Sequence, residues 1–379
     1  MNALARLLRQ AWHSVFRVGW PASDRERAAV MVSSLTLHLH PARVRRRTLR
    51  FSATLGLGLV SFYLFVVLVV TGLALMLYYS PHPSDAYRSM KDLQYAVTLG
   101  MYLRNLHRWA AHAMVAVVFL HMCRVFFMGA YKPQRQFNWV VGVGLLLLTM
   151  ALSFTGYLLP WDQLAFWAIT VGTSIVAYAP IVGDDLKYLL LGGHDIGAAA
   201  LLRFYVLHCV ILPVAAAGLI ALHFWRVRKD GGLCVPPDIG RRAVPSWPYL
   251  LFLEMLVLLL VLTLLNVAAV LFDAPLEEIA NAARTPNPAK APWYFLGLQE
   301  LVHHSAFVGG VLVPAGAVAA LLLIPYLDVA SRGTGVWFSR DRWIANLLFG
   351  IAVIVTVILT IVGTFFRGPN WRWVWPWSG

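Results

Sequence analysis

Charge and cysteine are what this sequence has least of. Only 13% of its 379 residues are charged, and its three cysteines, Cys123, Cys209 and Cys234, stand apart from one another. Isolated cysteines exclude an iron–sulfur cluster held by this chain, which needs grouped thiolate or imidazole ligands. No C-x-x-C-H run is present, so a thioether-linked haem has no attachment motif. Cys123 and Cys209 read instead as small apolar packing residues. Acidic residues are scarce beside basic ones, 17 against 31, for a formal net charge of +14. No basic stripe with interleaved aromatics accompanies that surplus, so nucleic acid is not an expected partner.

What is abundant is hydrocarbon. Hydrophobic residues make up 60% of the chain, well above the composition of a soluble domain. Seven apolar runs are long enough for a bilayer span of about 20 residues: roughly 55–78, 109–130, 138–160, 202–225, 249–272, 306–327 and 344–366. The first follows fifty mostly polar residues, so no cleavable signal peptide is expected and 1–50 reads as an amphipathic cytoplasmic segment. The expected fold is an all-α membrane protein of seven transmembrane helices. Four form a bundle over 51–230, and three form a C-terminal domain over 231–379.

Basic residues set the orientation. One side gathers Arg43, Arg45, Arg46, Arg47, Arg50, Lys132, Arg135, Arg226, Arg228, Lys229, Arg241, Arg242, Arg332, Arg340 and Arg342. The other carries Asp184, Asp185, Asp273, Glu277 and Glu278. The positive-inside rule then puts the N-terminus in the cytoplasm and the C-terminus outside, in a bacterial inner membrane. Membrane lipids take up most of the remaining basic surplus.

Four histidines stand in or beside these apolar runs as two spaced pairs: His107 and His121 at the second, His208 and His223 in the fourth. An imidazole at membrane depth is a site candidate unless it is satisfied. The pairs are 14 and 15 residues apart. Each therefore spans about 21–22 Å of helix, with its members within about 60° of one another. Both helices run from outside to inside, so His107 would lie opposite His208 near the outer face and His121 opposite His223 near the inner. A haem iron takes axial ligands from both faces of its ring, and each layer supplies two. Gly58 and Gly72 in the first run and Gly142 and Gly156 in the third repeat the 14-residue period. A helix face without Cβ atoms would let a macrocycle edge approach. Arg104 and Arg203 precede the outer histidines and are candidates to meet haem propionates.

The segments RNLHRWAAHAMVAVVFLHMCRV from Arg104, FTGYLLPWDQLAFWAITV, PIVGDDL, LLRFYVLHCV and LHFWRVRKDGG combine ligands, glycines and loops in one order. In them the chain resembles cytochrome b of the cytochrome bc family of quinol-oxidising complexes, from about residue 35 to 379. The resemblance implies two non-covalent b haems, of low potential between His107 and His208 and of higher potential between His121 and His223. The 15-residue spacing and seven-helix count are similar to the plastoquinol-oxidising branch, here with its two separate polypeptides fused. In that branch a cysteine holds a covalent haem near the start of the first helix. The matching position is Gly56, so no covalent haem is expected.

The resemblance also implies the quinol pocket. Pro160 ends the third helix, and the amphipathic segment after it, anchored by Trp161, Phe166 and Trp167, is the counterpart of the surface helix lining the outer site. Tyr157 falls at the pocket wall. Ala168 stands where mitochondrial-type proteins carry glycine, and its methyl would narrow the pocket against strobilurin-like inhibitors. The family's P-E-W-Y motif corresponds to Ala291, Pro292, Trp293 and Tyr294, with proline in place of the glutamate that helps take a quinol proton. Glu300 is expected to substitute, its apolar surroundings making it a useful acceptor, with Asp162 and His303 as competitors. An inner quinone-reducing site is expected near Arg124, the end of the fourth helix and the N-terminal segment.

Implied partners are an iron–sulfur subunit of Rieske type, a c-type cytochrome or equivalent acceptor, and a second copy in a homodimeric complex. One quinol electron leaves by the iron–sulfur partner and the other crosses the membrane to an inner-side quinone, with proton translocation. Two other readings share part of the pattern. A diheme quinone-reactive anchor of a peripheral dehydrogenase or reductase would use the same histidines without the surface helix and W-Y segment. A non-redox structural or transport protein would leave the histidine and glycine registers unexplained. The C-terminal FFRGPNWRWVWPWSG reads as an outer-face aromatic anchor.

Overall fold

The computed structural model describes Ala5 and residues 21–33, 40–132, 134–234, 242–328 and 331–377. Half of the expected N-terminal amphipathic segment, and Arg241 among the orienting arginines, lie outside the described residues.

Seven helices among the described residues are long and apolar enough to cross a membrane. They are α1 (Leu57–Met76), α2 (Gly100–Phe127), α3 (Gln136–Tyr157), α5 (Ala198–Lys229), α6 (Ser246–Leu271), α8 (Val308–Leu327) and α9 (Arg340–Phe365). Helix α4 (Gln163–Ala177) is the short apolar helix between α3 and α5, and α7 (Trp293–His304) precedes α8. Helices are the economical answer for these runs, because hydrocarbon offers no partner to a free backbone N–H or C=O. Large apolar side chains such as Leu256, Leu260 and Leu264 on α6 and Ile351, Ile354 and Ile358 on α9 face outward. Such outward apolar faces are what lipid contact requires.

Three differences from the sequence expectation bear on the site. Helix α2 begins nine residues early, at Gly100 rather than 109. Its first turns carry the buried Arg104 and Asn105, which are satisfied by the connection after α6: Arg104 donates to the carbonyls of Ala274 (2.7 Å) and Pro275 (2.5 Å), and Asn105 to Ala269 and Asp273. The 292–300 stretch, expected as a loop, is the helix α7, launched by Pro292 at φ −52°, where proline's fixed φ suits a helix start. Helix α3 ends at Tyr157, and Asp162 caps α4 by accepting from the backbone N–H of Ala165 at 2.9 Å.

Helix α6 packs on α1 and α2, and α8 packs on α3. Leu64 and Val67 of α1, Ala110 of α2, and Val261 and Leu265 of α6 form one buried cluster. A two-stranded antiparallel pair, β1 (Arg43–Arg45) with β2 (Ala243–Pro245), joins the approach to α1 to the approach to α6. At the same end Lys132 (2.7 Å) and Arg342 (3.3 Å) converge on Asp328, which also accepts from the Tyr131 hydroxyl. Burial alone would raise the Asp328 pKa, but Lys132, Tyr131 and Arg342 together hold it below the ordinary carboxylate range. This knot ties the α2–α3 turn to the α8–α9 connection.

Candidate functional site

The four histidines form two layers. His107 and His208 face each other with ring centroids 6.2 Å apart, and His121 and His223 with centroids 6.5 Å apart. The ring planes stand at 76° and 79°. A metal–imidazole bond is about 2.0–2.1 Å and the nitrogen about 1.1–1.2 Å from its ring centre, so two imidazoles on opposite sides of one metal atom have centroids about 6.4 Å apart. In each layer the two rings, one from α2 and one from α5, stand at the separation that two imidazoles holding one iron would require.

Each glycine of the repeated register backs one of these rings. A Cβ on Gly58 would stand 3.1 Å from His121 Cε1, one on Gly72 3.3 Å from His107 Cε1, and one on Gly142 3.8 Å from His223 Cε1. At Gly156 it would overlap the His208 ring. The group that approaches each glycine here is the imidazole, where the sequence reading had the macrocycle edge.

The outer layer has a further device. Thr71 and Thr155, each just before an outer glycine, send their hydroxyl protons to the carbonyls of Val67 (2.7 Å) and Ala151 (2.8 Å). Their lone pairs then meet Nδ1 of His107 at 2.8 Å and of His208 at 3.2 Å, and His208 Nδ1 also lies 3.1 Å from the Leu152 carbonyl. Hydroxyls already donating to backbone can only accept, so Nδ1 carries the proton and Nε2 keeps its lone pair. The repeated Thr-Gly dipeptide was the available sequence signal for this.

Unequal spacing is resolved by backbone. Residues Leu207–Ile211 form a π-turn, which takes up one extra residue between His208 and His223. Fifteen residues interrupted by one such turn advance roughly as fourteen α-helical residues do, so the offset between His208 and His223 falls from about 60° to about 40°, that of His107 and His121.

The arginines hold connections. Arg104 anchors the segment after α6, and Arg203, an exposed residue, donates to the carbonyls of Leu189 and Tyr188. Arg124 is buried in the last turn of α2 and donates to the Ala53 carbonyl at 2.6 Å.

At the outer end, α3, α4 and the first turn of α7 converge. Tyr157 lies in the electrostatic field of Asp162, Arg108 and Tyr294. Burial pushes the Tyr294 phenol up to about 12 against the opposing influence of Arg108 and a hydrogen bond with Ser153. Ala168 packs against the cluster around Leu158, Trp161 and Ile169. Trp293, beside Pro292, donates its indole N–H to His112 Nδ1 at 2.9 Å. Asp162 is buried, accepting from Ala165 and, at 3.2 Å, from the backbone N–H of Glu277. Burial raises its pKa, with those two hydrogen bonds and the Arg104 and Arg108 charges opposing.

Glu300 has a charged partner that its sequence context does not show. Its surroundings are not apolar: Arg367 embraces it, with Nε at 3.0 and 3.1 Å from the two carboxylate oxygens and Nη2 at 2.8 Å. Glu300 is buried against α9, where a Cβ on Gly363 would come 3.5 Å from its Oε1, and Arg367 is partly exposed. Arg367 lies 67 positions away, so spacing gave no sign of it. His303 lies beside His304 and Trp371. Of the three carboxylate and imidazole candidates, Asp162 is the one whose charge Tyr157 senses.

At the inner end, Glu254 of α6 meets His40 Nε2 at 3.1 Å. Glu254 lies inside the fifth apolar run, where a carboxylate is itself a signal, whereas His40 precedes the first run.

Comparison with known proteins follows this geometry. Residues 46–231 match the family described as Cytochrome b/b6/petB, and residues 279–375 the family described as Cytochrome b(C-terminal)/b6/petD. The Heliobacterium mobile protein named "Cytochrome b6" is 43% identical over 175 residues, covering 46% of this chain and 82% of that protein. The Bacillus subtilis (strain 168) "Menaquinol:cytochrome c reductase cytochrome b subunit" is 42% identical over 196 residues, covering 51% of this chain and 85% of that one. A solved chain of a "Hyperthermophilic respiratory Complex III" superposes with TM-score 0.72 at 27% identity, covering 82% of this chain and 84% of that chain.

Proposed function

The chain belongs to the cytochrome b/b6 family, and from that premise we propose that it is a diheme subunit oxidising membrane quinol at its outer end and delivering electrons to quinone at its inner end. It is an integral membrane subunit of an oxidoreductase of the quinol:cytochrome c reductase type. The observation carrying the diheme reading is the pair of opposed imidazole layers at 6.2 and 6.5 Å, each ring backed by a glycine. Haem b in each layer would supply a one-electron carrier, giving a path along α2 and α5.

The residues of the chain do the rest. His107 and His208 hold the outer group through Nε2, their tautomer fixed by Thr71 and Thr155. His121 and His223 hold the inner one. Arg203, with its guanidinium at the outer surface, is the candidate partner for propionates, while Arg104 fixes the loop above. Tyr157, Ala168, Pro292, Trp293 and Tyr294 wall the quinol pocket. Asp162 accepts a quinol proton in place of the carboxylate that Pro292 cannot provide. At the inner end His40 and Glu254 pair an imidazole with a carboxylate, suited to passing protons toward a quinone near Arg124. The first electron leaves by a separate Rieske-type iron–sulfur subunit to a c-type cytochrome or equivalent acceptor, and the complex is a homodimer. The basic loops support an orientation with the N-terminus in the cytoplasm and the C-terminus on the outer side of a bacterial inner membrane.

Pyridine haemochrome analysis of the purified complex should give two b haems per chain and no thioether-linked haem in it. Gly56, which replaces the covalent attachment point, sits at φ 64°, a left-handed backbone that cysteine adopts only with strain. Fewer than one b haem per chain would sink the diheme reading.

Glu300→Gln should leave the pH profile of quinol oxidation as it is, because that carboxylate pins α7 to the segment after α9. Leaving Arg367 with no anion should instead destabilise the fold by about 3–5 kcal/mol, the cost of breaking a buried ion pair. Thermal unfolding of the purified variant would show it. An altered pH profile without lost stability would return Glu300 to the proton path.

A further inference from the structure

His112 has no place in the haem layers. It lies five residues beyond His107, about 140° round the helix, and it stands over the first turn of α7. The Trp293 indole donates to its Nδ1 at 2.9 Å, and its ring centroid lies 5.8 Å from that of Tyr294 and 5.5 Å from that of Trp109. An indole N–H can only donate, so Nδ1 is the acceptor and the neutral ring carries its proton on Nε2. Among the described residues, no acceptor for that Nε2–H is present. The imidazole is thus a fixed donor without an acceptor. It hangs from the residue next to Pro292, beside the Tyr294 ring.

We infer that His112 is a substrate-binding residue of the outer site, donating its Nε2–H to an oxygen of the quinol or quinone headgroup. This rests on the quinol-oxidising reading above. Where a proline has removed a carboxylate from the α7 turn, a ring on α2 supplies the polar contact from the other wall. The contact differs in kind. A carboxylate accepts from the quinol hydroxyl, whereas His112 in this tautomer donates to an oxygen lone pair. It orients the head without taking its proton, which leaves proton acceptance to Asp162. The donor also favours the product, since a quinone carbonyl is a pure acceptor.

Three substitutions in the intact complex separate the roles. Glutamine places an N–H near the position of Nε2, asparagine keeps a partner for Trp293 without reaching the substrate, and leucine does neither. The KM for quinol should rise about tenfold in His112→Asn and His112→Leu, the worth of one hydrogen bond to a partner removed from water. It should stay within about twofold of the parent in His112→Gln, with kcat held within about twofold throughout. Infrared difference spectra with carbon-13-labelled quinone give a second reading: the carbonyl stretch should move to higher frequency in the leucine variant and not in the glutamine variant. Haem spectra check that each variant is assembled. An unchanged KM in His112→Leu, an equal rise in all three, or a loss confined to kcat would overturn the inference while leaving quinol oxidation standing. A parent complex that oxidises no quinol would overturn both.

Discussion

His208→Leu is expected to remove the outer haem alone and to abolish quinol-dependent electron transfer across the membrane, while His223→Leu removes the inner haem alone. Redox-resolved spectra of the α-band in each purified variant would show which component is missing. The pairing behind this is strict, since each layer draws one imidazole from α2 and one from α5, with 6.2 Å between the outer ring centres. Glycine substitutions test the same geometry from behind. A methyl at Gly156 would overlap the His208 ring, whereas one at Gly142 would meet His223 Cε1 at an ordinary 3.8 Å. Gly156→Ala should therefore displace His208 and weaken or empty the outer layer, and Gly142→Ala should keep the inner one. Overpacking of a tight contact costs typically about 1–3 kcal/mol, and here the displaced atom is a ligand. Loss of the inner component in His208→Leu, or of the outer in His223→Leu, would overturn the ligand pairing.

How much of this was legible differs between the layers and the pocket. The histidine and glycine registers are periodic along single helices, so spacing alone carries them, as hydropathy carries the seven spans. The π-turn at Leu207–Ile211 was not legible, because a one-residue expansion leaves no compositional mark. The early start of α2 was hidden for a related reason: Arg104 and Asn105 look like the end of an apolar run until the carbonyls of Ala269, Ala274 and Pro275 are placed above them. The pocket depended on contacts between distant segments. Glu300 read as an acceptor in apolar company because Arg367 is remote in the chain, and His112, inside the second apolar run but outside the 14-residue register, gains a partner only when Trp293, 181 positions away, is placed beside it. Local periodicity fixes what lies on one helix; the chemistry at the outer end lies between helices.

Asp162→Asn should lower kcat for quinol oxidation by about 10²-fold, the lower end of what a positioned general base contributes. It should also abolish the acid limb of the pH profile. The sign follows from the site. Burial raises the Asp162 pKa, more than the hydrogen bonds from Ala165 and Glu277 and the charges of Arg104 and Arg108 lower it. The group accepts a proton only when ionised, so activity should rise with pH through a value above the ordinary carboxylate range. Each carboxylate oxygen accepts one backbone hydrogen bond, at 2.9 and 3.2 Å, and an ionised carboxylate has further lone pairs for a substrate proton. Asparagine keeps the cap on α4 through its amide oxygen but gives up the acceptor for the Glu277 N–H, so unchanged haem spectra and thermal unfolding are required before the loss of rate is read as chemistry. Asp162→Ser serves as a second control, retaining a capping oxygen but no titrating group. Equal acid limbs in the parent and in both variants would remove Asp162 from the proton path and leave it as the residue that caps α4 and pins the Glu277 loop.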